Sequence, residues 1–255
     1  MKISEKFFPP YLGWFHGLLV FGGYLLASLA AKAGFSFGVG FLEGLLNIQF
    51  PKFIAGVNFF HSLEILRVIV GQVAGGAVLV ILLQFFSKKF PQDLWNEIGW
   101  APCRIGFLLR GFLFGAAWGI AILVGRSLLL GDIATSKFTP DGLNLFFWCI
   151  PSLLLAPILE ETLYRGILYL GILNSWGRTW AFGISTILFS LSHSQYLLNG
   201  KFPFLFIFMA YTMSGIAILI LRIRYNSLFP SIAFHCSYNL IGISSVLLGS
   251  YTFSF

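Results

Sequence analysis

The stretch GFLLRGFLFGAAWGIAILVGRSLLL, Gly106 to Leu130, decides the fold class. A helix needs roughly 20 mostly apolar residues, at about 1.5 Å rise each, to cross a hydrocarbon layer. This run exceeds that length and keeps its two arginines near its ends. Gly111, Gly115 and Gly119 recur at spacing four, which puts them on one helical face where a neighbouring backbone can approach closely. Six similar runs accompany it: Tyr11 to Ala31, Ile65 to Phe86, Leu143 to Leu173, Arg178 to Leu198, Phe202 to Leu221 and Leu228 to Gly249. Gly71 and Gly75 form a second close-approach pair. The expected fold is an all-α, polytopic transmembrane helix bundle of seven spanning helices. An eighth is added if the glycine-rich, moderately apolar stretch from Gly34 to Asn58 makes a short re-entrant or interfacial segment.

Composition points the same way. Of 255 residues 58% are strongly apolar and only 10% charged, whereas soluble domains carry about 25% charged residues. A cytosolic enzyme, a disordered tail and a collagen-like chain are excluded together. A net charge of +7 would suggest nucleic acid in a soluble protein. Here the 16 Lys and Arg sit mostly at the ends of apolar runs, where membrane proteins carry them, so the expected partner is the lipid bilayer and not nucleic acid. Cys103, Cys149 and Cys236 follow no CxxC or zinc spacing and read as small buried hydrophobes.

Lys2 and Lys6 precede the first run and Ala31-Lys32-Ala33 follows it, a superficial likeness to a signal peptide. The run is longer than the usual apolar region of about 7 to 15 residues, and it reads as retained. Ser87 to Arg104, the most polar stretch, reads as a solvated loop. With seven spans, nine flanking cations fall on the face of Lys2 and Lys6 and six on the other, Arg165 being left out. The excess places the N-terminus inside.

The informative residues are ionisable ones within apolar runs. A charged side chain at mid-helix costs about 2.5–3.5 kcal/mol on insertion scales, so Glu160, Glu161 and Arg165 in one run require a reason. Glu161 and Arg165 are four apart and can form an ion pair. Glu160 is rotated about 100° away and is left without that partner. A carboxylate with no cation on its own helical face is a candidate for proton transfer. His193 ends the next run, and Glu160 and His193 each lie about sixteen residues from the tight Ser175–Gly177 turn. Antiparallel packing would bring them to one depth. The last run carries His235 and Asn239, four apart on one face, both able to donate hydrogen bonds. A lone intramembrane histidine is more often a helix-bridging hydrogen bonder, and a lone asparagine interhelical glue. Gathered in the second half of a chain with few other polar residues, they read as a functional site. His16, and His61 with Glu64 and Arg67, lie at run ends and read as interface anchors.

Glu160-Glu161-Thr162-Leu163-Tyr164-Arg165 resembles the EExxxR motif of the CPBP family, the CAAX proteases and bacteriocin-processing enzymes. Phe189 to His193 fits its FxxxH motif and His235 to Asn239 its HxxxN motif, in the family's order; Tyr164 stands where many members have Phe. The resemblance covers roughly Leu143 to Gly249. It implies an intramembrane glutamic endopeptidase acting without metal or other cofactor, in which Glu160 and His193 activate a water. His235 and Asn239 would then form the oxyanion hole, and Glu161 with Arg165 would hold the site in shape. It places a catalytic core of four spans in 143–255, and the apolar runs add three or four N-terminal spans in 1–142, one membrane-embedded domain in all. The substrate would be a peptide or protein, lipidated or not, and the location the plasma membrane of a bacterium, N-terminus cytoplasmic.

Three other readings compete. Glu160, His193 and His235 are plausible zinc ligands, although no HExxH is present. Thr212-Met213-Ser214-Gly215 lacks the first glycine of the GxSG that a rhomboid-type serine protease wants. A non-proteolytic scaffold, chaperone or transporter could keep the same polar cluster for binding.

Overall fold

Apolar runs without water on either side must satisfy every backbone group internally, and the chain does so as helices. The structure, a computed structural model, describes residues 12–46, 59–89, 94–130, 147–193 and 201–247. Its long helices are α1 (Trp14–Leu46), α2 (Phe59–Lys89) and α4 (Ile105–Leu130), with the short α3 (Leu94–Ile98) between the last two. A composite helix α5 over 147–176 follows, then α6 (Arg178–Ser192), α7 (Lys201–Tyr225) and α8 (Phe229–Leu247). Among the described residues no strand occurs. The chain is an all-α membrane bundle. Segments of α1, α2, α4 and α7 are long and apolar enough to cross a membrane by length and composition.

Contacts give the helix directions. Successive residues of α1 meet α2 in reverse order, Gly23 against Val78 and Leu82, and Tyr24 against Gly75. Along α1 and α5 the order is also reversed: Gly13 meets Gly171, Gly17 meets Ile167 and Leu168, and the Phe21 ring meets Tyr164 edge-on. The end of this pair is fixed by the Trp14 amide donating to Ser175 Oγ at 2.9 Å and by Trp14 stacked on Trp176. By contrast α4 and α8 run in parallel, Gly111, Gly115 and Gly119 facing Pro230, Phe234 and Ile241. Direction is thus reversed between α1 and both α2 and α5, and shared by α4 and α8.

The glycine stripe on α4 is packing, as its spacing indicates. A Cβ at Gly115 would collide with the carbonyl oxygen of Phe234 and with Ser237 Oγ, whereas one at Gly106 would meet nothing within 4 Å. Gly115→Ala is expected to destabilise by about 1–3 kcal/mol, the usual range for overpacking, and Gly106→Ala to leave stability unchanged. Thermal melting of the detergent-solubilised protein checks both.

Two stretches differ from their sequence reading. Gly34 to Leu46 is no separate segment but continues α1, because a bilayer tolerates glycine in helices better than water does; 47–58 lie outside the described residues. Within the polar stretch before α4, Leu94 and Ile98 of α3 are buried, and the Ile98 carbonyl packs on Gly166 of α5. That stretch is also tied to the α7–α8 corner. Arg222 donates to the Glu97 carbonyl at 2.9 Å, and the Leu228 amide to the Gly99 carbonyl at 2.7 Å. Its apolar residues at spacing four make it an amphipathic seal, where composition alone reads as a solvated loop.

Candidate active site

The site grows from the irregularity of α5. Wide π-helical turns occupy Pro151–Leu155 and Glu161–Leu168, with an α-helical turn Ala156–Glu160 between them. Such turns are uncommon and cluster at functional sites. Pro157 has no N–H to give to a carbonyl one turn back, and the Ala156 amide bonds to the Pro151 carbonyl. The Ser152 and Leu153 carbonyls are thus free to be bonded from α8, by Asn239 Nδ2 at 2.7 Å and Cys236 Sγ at 3.1 Å. Helix α8 is stitched to α5 over one turn, and the same face of α8 carries His235 inward.

An inner cluster forms where the sequence spacing puts Glu161 and Arg165 together. Arg165 Nη1 donates to Glu161 Oε1 at 3.2 Å, and His235 Nδ1 lies 2.8 Å from the same oxygen. Glu161 is wholly buried and Arg165 is 1% exposed. The guanidinium also donates to the Gly215 carbonyl at 3.4 Å and lies 3.9 Å over the Phe189 ring. A planar cation stacked on an aromatic face while forked between two acceptors is a task for arginine and not lysine.

An outer pair lies on the other side of Phe189. Gly177, at φ +84, ends α5 and opens α6 within a single residue, so the two helices run back along each other from that point. Glu160 and His193, equidistant from the turn, meet at 3.6 Å between Oε2 and Nε2, with 18% and 17% of their side chains exposed. His193 Nδ1 lies 2.8 Å from the Phe189 carbonyl. A carbonyl only accepts, so that nitrogen carries the proton. When the ring is neutral, Nε2 faces Glu160 with a lone pair. The imidazole is stacked on Tyr211 of α7 at 4.3 Å and tilted against Phe189 at 4.7 Å.

Of the six residues singled out by sequence, Glu160 and His193 come together, as do Glu161, Arg165 and His235. Asn239 stands one helical turn beyond His235 with one amide hydrogen committed to Ser152. Phe189 was visible only as a motif letter. In the structure it is the partition between the two clusters, touched by Arg165, Tyr164, His193, Tyr211 and His235. Tyr211 carries no signal in a chain that is 18% aromatic. Among the described residues no three His, Cys, Asp or Glu side chains are grouped to hold a metal ion.

A family model described as type II CAAX prenyl endopeptidase Rce1-like matches residues 142–241, a segment that contains all six of these residues. No curated protein and no solved structure matches the chain.

Proposed function

From the premise that residues 142–241 belong to the CAAX-protease family, we propose that this membrane protein hydrolyses a peptide bond with a water activated by Glu160 and His193. The observation that carries the reading is the 3.6 Å separation of Glu160 Oε2 from His193 Nε2. That spacing exceeds a direct hydrogen bond and suits a bridge. A water lying against both groups donates one O–H to each and keeps its lone pairs for the substrate carbonyl. Its proton passes to Glu160, its oxygen bonds to the carbonyl carbon, and the carbonyl oxygen takes the negative charge. When the C–N bond breaks, Glu160 returns the proton to the leaving amine.

Asn239 serves the oxyanion with its second amide hydrogen, and His235 with Nε2 when its ring carries both protons. Glu161 and Arg165 fix the His235 ring from below. In this reading one membrane-embedded domain has its catalytic core in 143–255, buttressed by 1–142. It sits in a bacterial plasma membrane with its N-terminus cytoplasmic, and its substrates are prenylated peptides ending in a CAAX sequence.

The test is incubation of the purified protein in lipid vesicles with a farnesylated CAAX peptide and its unprenylated twin. Release of the terminal tripeptide from the first, undiminished by a strong chelator, is expected. No cleavage of either peptide by wild type, with cellular function still dependent on the polar cluster, would move the protein to the scaffold class. Loss of cleavage on chelation, restored by zinc, would replace the water-activation chemistry with a metal's.

A further inference from the structure

Helix α1 lies outside the segment that the family model matches, yet its register carries it to the reacting centre. Gly13, Gly17 and Phe21 face Gly171, Ile167 with Leu168, and Tyr164 in turn, each step forward on α1 being a step back on α5. Three residues further along α1 is Tyr24. Three and four residues back along α5 are Glu161 and Glu160. A second element fixes the same level. The adjacent glycines of α2 receive Tyr24 and the neighbour of Glu160: a Cβ on Gly75 would stand 2.8 Å from the Tyr24 ring, and one on Gly76 2.9 Å from Leu159. Gly75 thus leaves room for one edge of the Tyr24 ring against α2, beside the catalytic turn. Tyr24 is 8% exposed and lies within electrostatic reach of both Glu160 and Tyr164.

A phenol is an unusual thing to bury at this depth unless its hydroxyl is used, since the ring alone would be supplied by phenylalanine, of which the chain has 30. The oxyanion also needs donors. Asn239 gives one hydrogen to Ser152, and His235 gives Nδ1 to Glu161. We propose that Tyr24 is a catalytic residue contributed by the N-terminal half of the chain, donating its phenol O–H to the oxyanion formed next to Glu160. This deepens the proteolytic reading and rests on it.

The experiment compares wild type, Tyr24→Phe and Tyr164→Phe on the farnesylated CAAX peptide in vesicles, with melting curves recorded in parallel. Tyr24→Phe keeps the ring in place. It is expected to lower kcat by about 100-fold, the usual loss for one oxyanion donor, with KM within about twofold and melting unchanged. Tyr164→Phe is expected to retain near-normal kcat. Gly75→Ala, which displaces the Tyr24 ring, should reproduce the fall in kcat. Wild-type kcat in Tyr24→Phe, with wild type active, overturns the assignment and leaves the protease reading standing. A wild type that cleaves nothing removes both.

Discussion

Glu160→Gln is expected to lower kcat about 10³-fold or more while leaving the melting temperature within a few degrees of wild type. The substitution keeps the size and planarity of the side chain but removes its capacity to take a proton, and general-base catalysis is worth about 10²–10⁴-fold. Stability should change little because Oε2 of Glu160 makes no hydrogen bond to the described residues and lies 3.6 Å from His193 Nε2. His193→Ala is expected to cost as much. The double variant should be hardly worse than either single one, since groups that act on one proton are not additive. Multiplicative losses would mean that the two residues serve separate steps. Undiminished hydrolysis by purified Glu160→Gln would end the water-activation proposal. The measurement is single-turnover cleavage of the CAAX peptide, which separates chemistry from product release.

Why the Glu160–His193 pair could be read from sequence, and the surroundings of Asn239 could not, has a physical cause. Two residues equally distant from a tight turn must meet when the helices fold back, and Gly177 supplies a turn of one residue. The Glu161–Arg165 contact follows from helical spacing in the same local way. His235 on Glu161 is a different kind of fact: it depends on which nitrogen of a helix far along the chain reaches inward, and no spacing rule fixes that. The bond from Asn239 to Ser152 needs a free main-chain carbonyl. Its source, Pro157 five residues after Ser152, stood in the sequence as a proline in an apolar run, without any sign that the turn before it would widen. Aromatic packing was the least legible part. Phe189 and Tyr211 orient His193 by ring contacts, and with 30 phenylalanines and 9 tyrosines present nothing marks these two. The level of Tyr24 is written in the glycines of α1 and α2, but only once their partners across the bundle are known.

Arg165→Met should destabilise the protein by about 3–5 kcal/mol, the largest stability effect expected of any single change in the site. Removing one member of a buried ion pair leaves the other charge without compensation, and Glu161, wholly buried, would retain only His235. The substitution also uncovers the face of Phe189 on which the guanidinium lies. Arg165→Lys restores the charge but not the planar stack or the reach to the Gly215 carbonyl, so it should recover only part of the loss. The double variant Glu161→Leu with Arg165→Met removes both charges from the interior. It should therefore be more stable than Arg165→Met alone, with a coupling of about 1–3 kcal/mol in a double-mutant cycle. It should nonetheless be inactive, because His235 loses the acceptor that holds its ring. A double variant that is stable and fully active would show that the inner cluster contributes nothing to the reaction. One as unstable as Arg165→Met would show that Phe189 stacking, and not the buried charge, is what Arg165 supplies. Chemical or thermal unfolding in detergent, with cleavage assayed on the same preparations, decides between these outcomes.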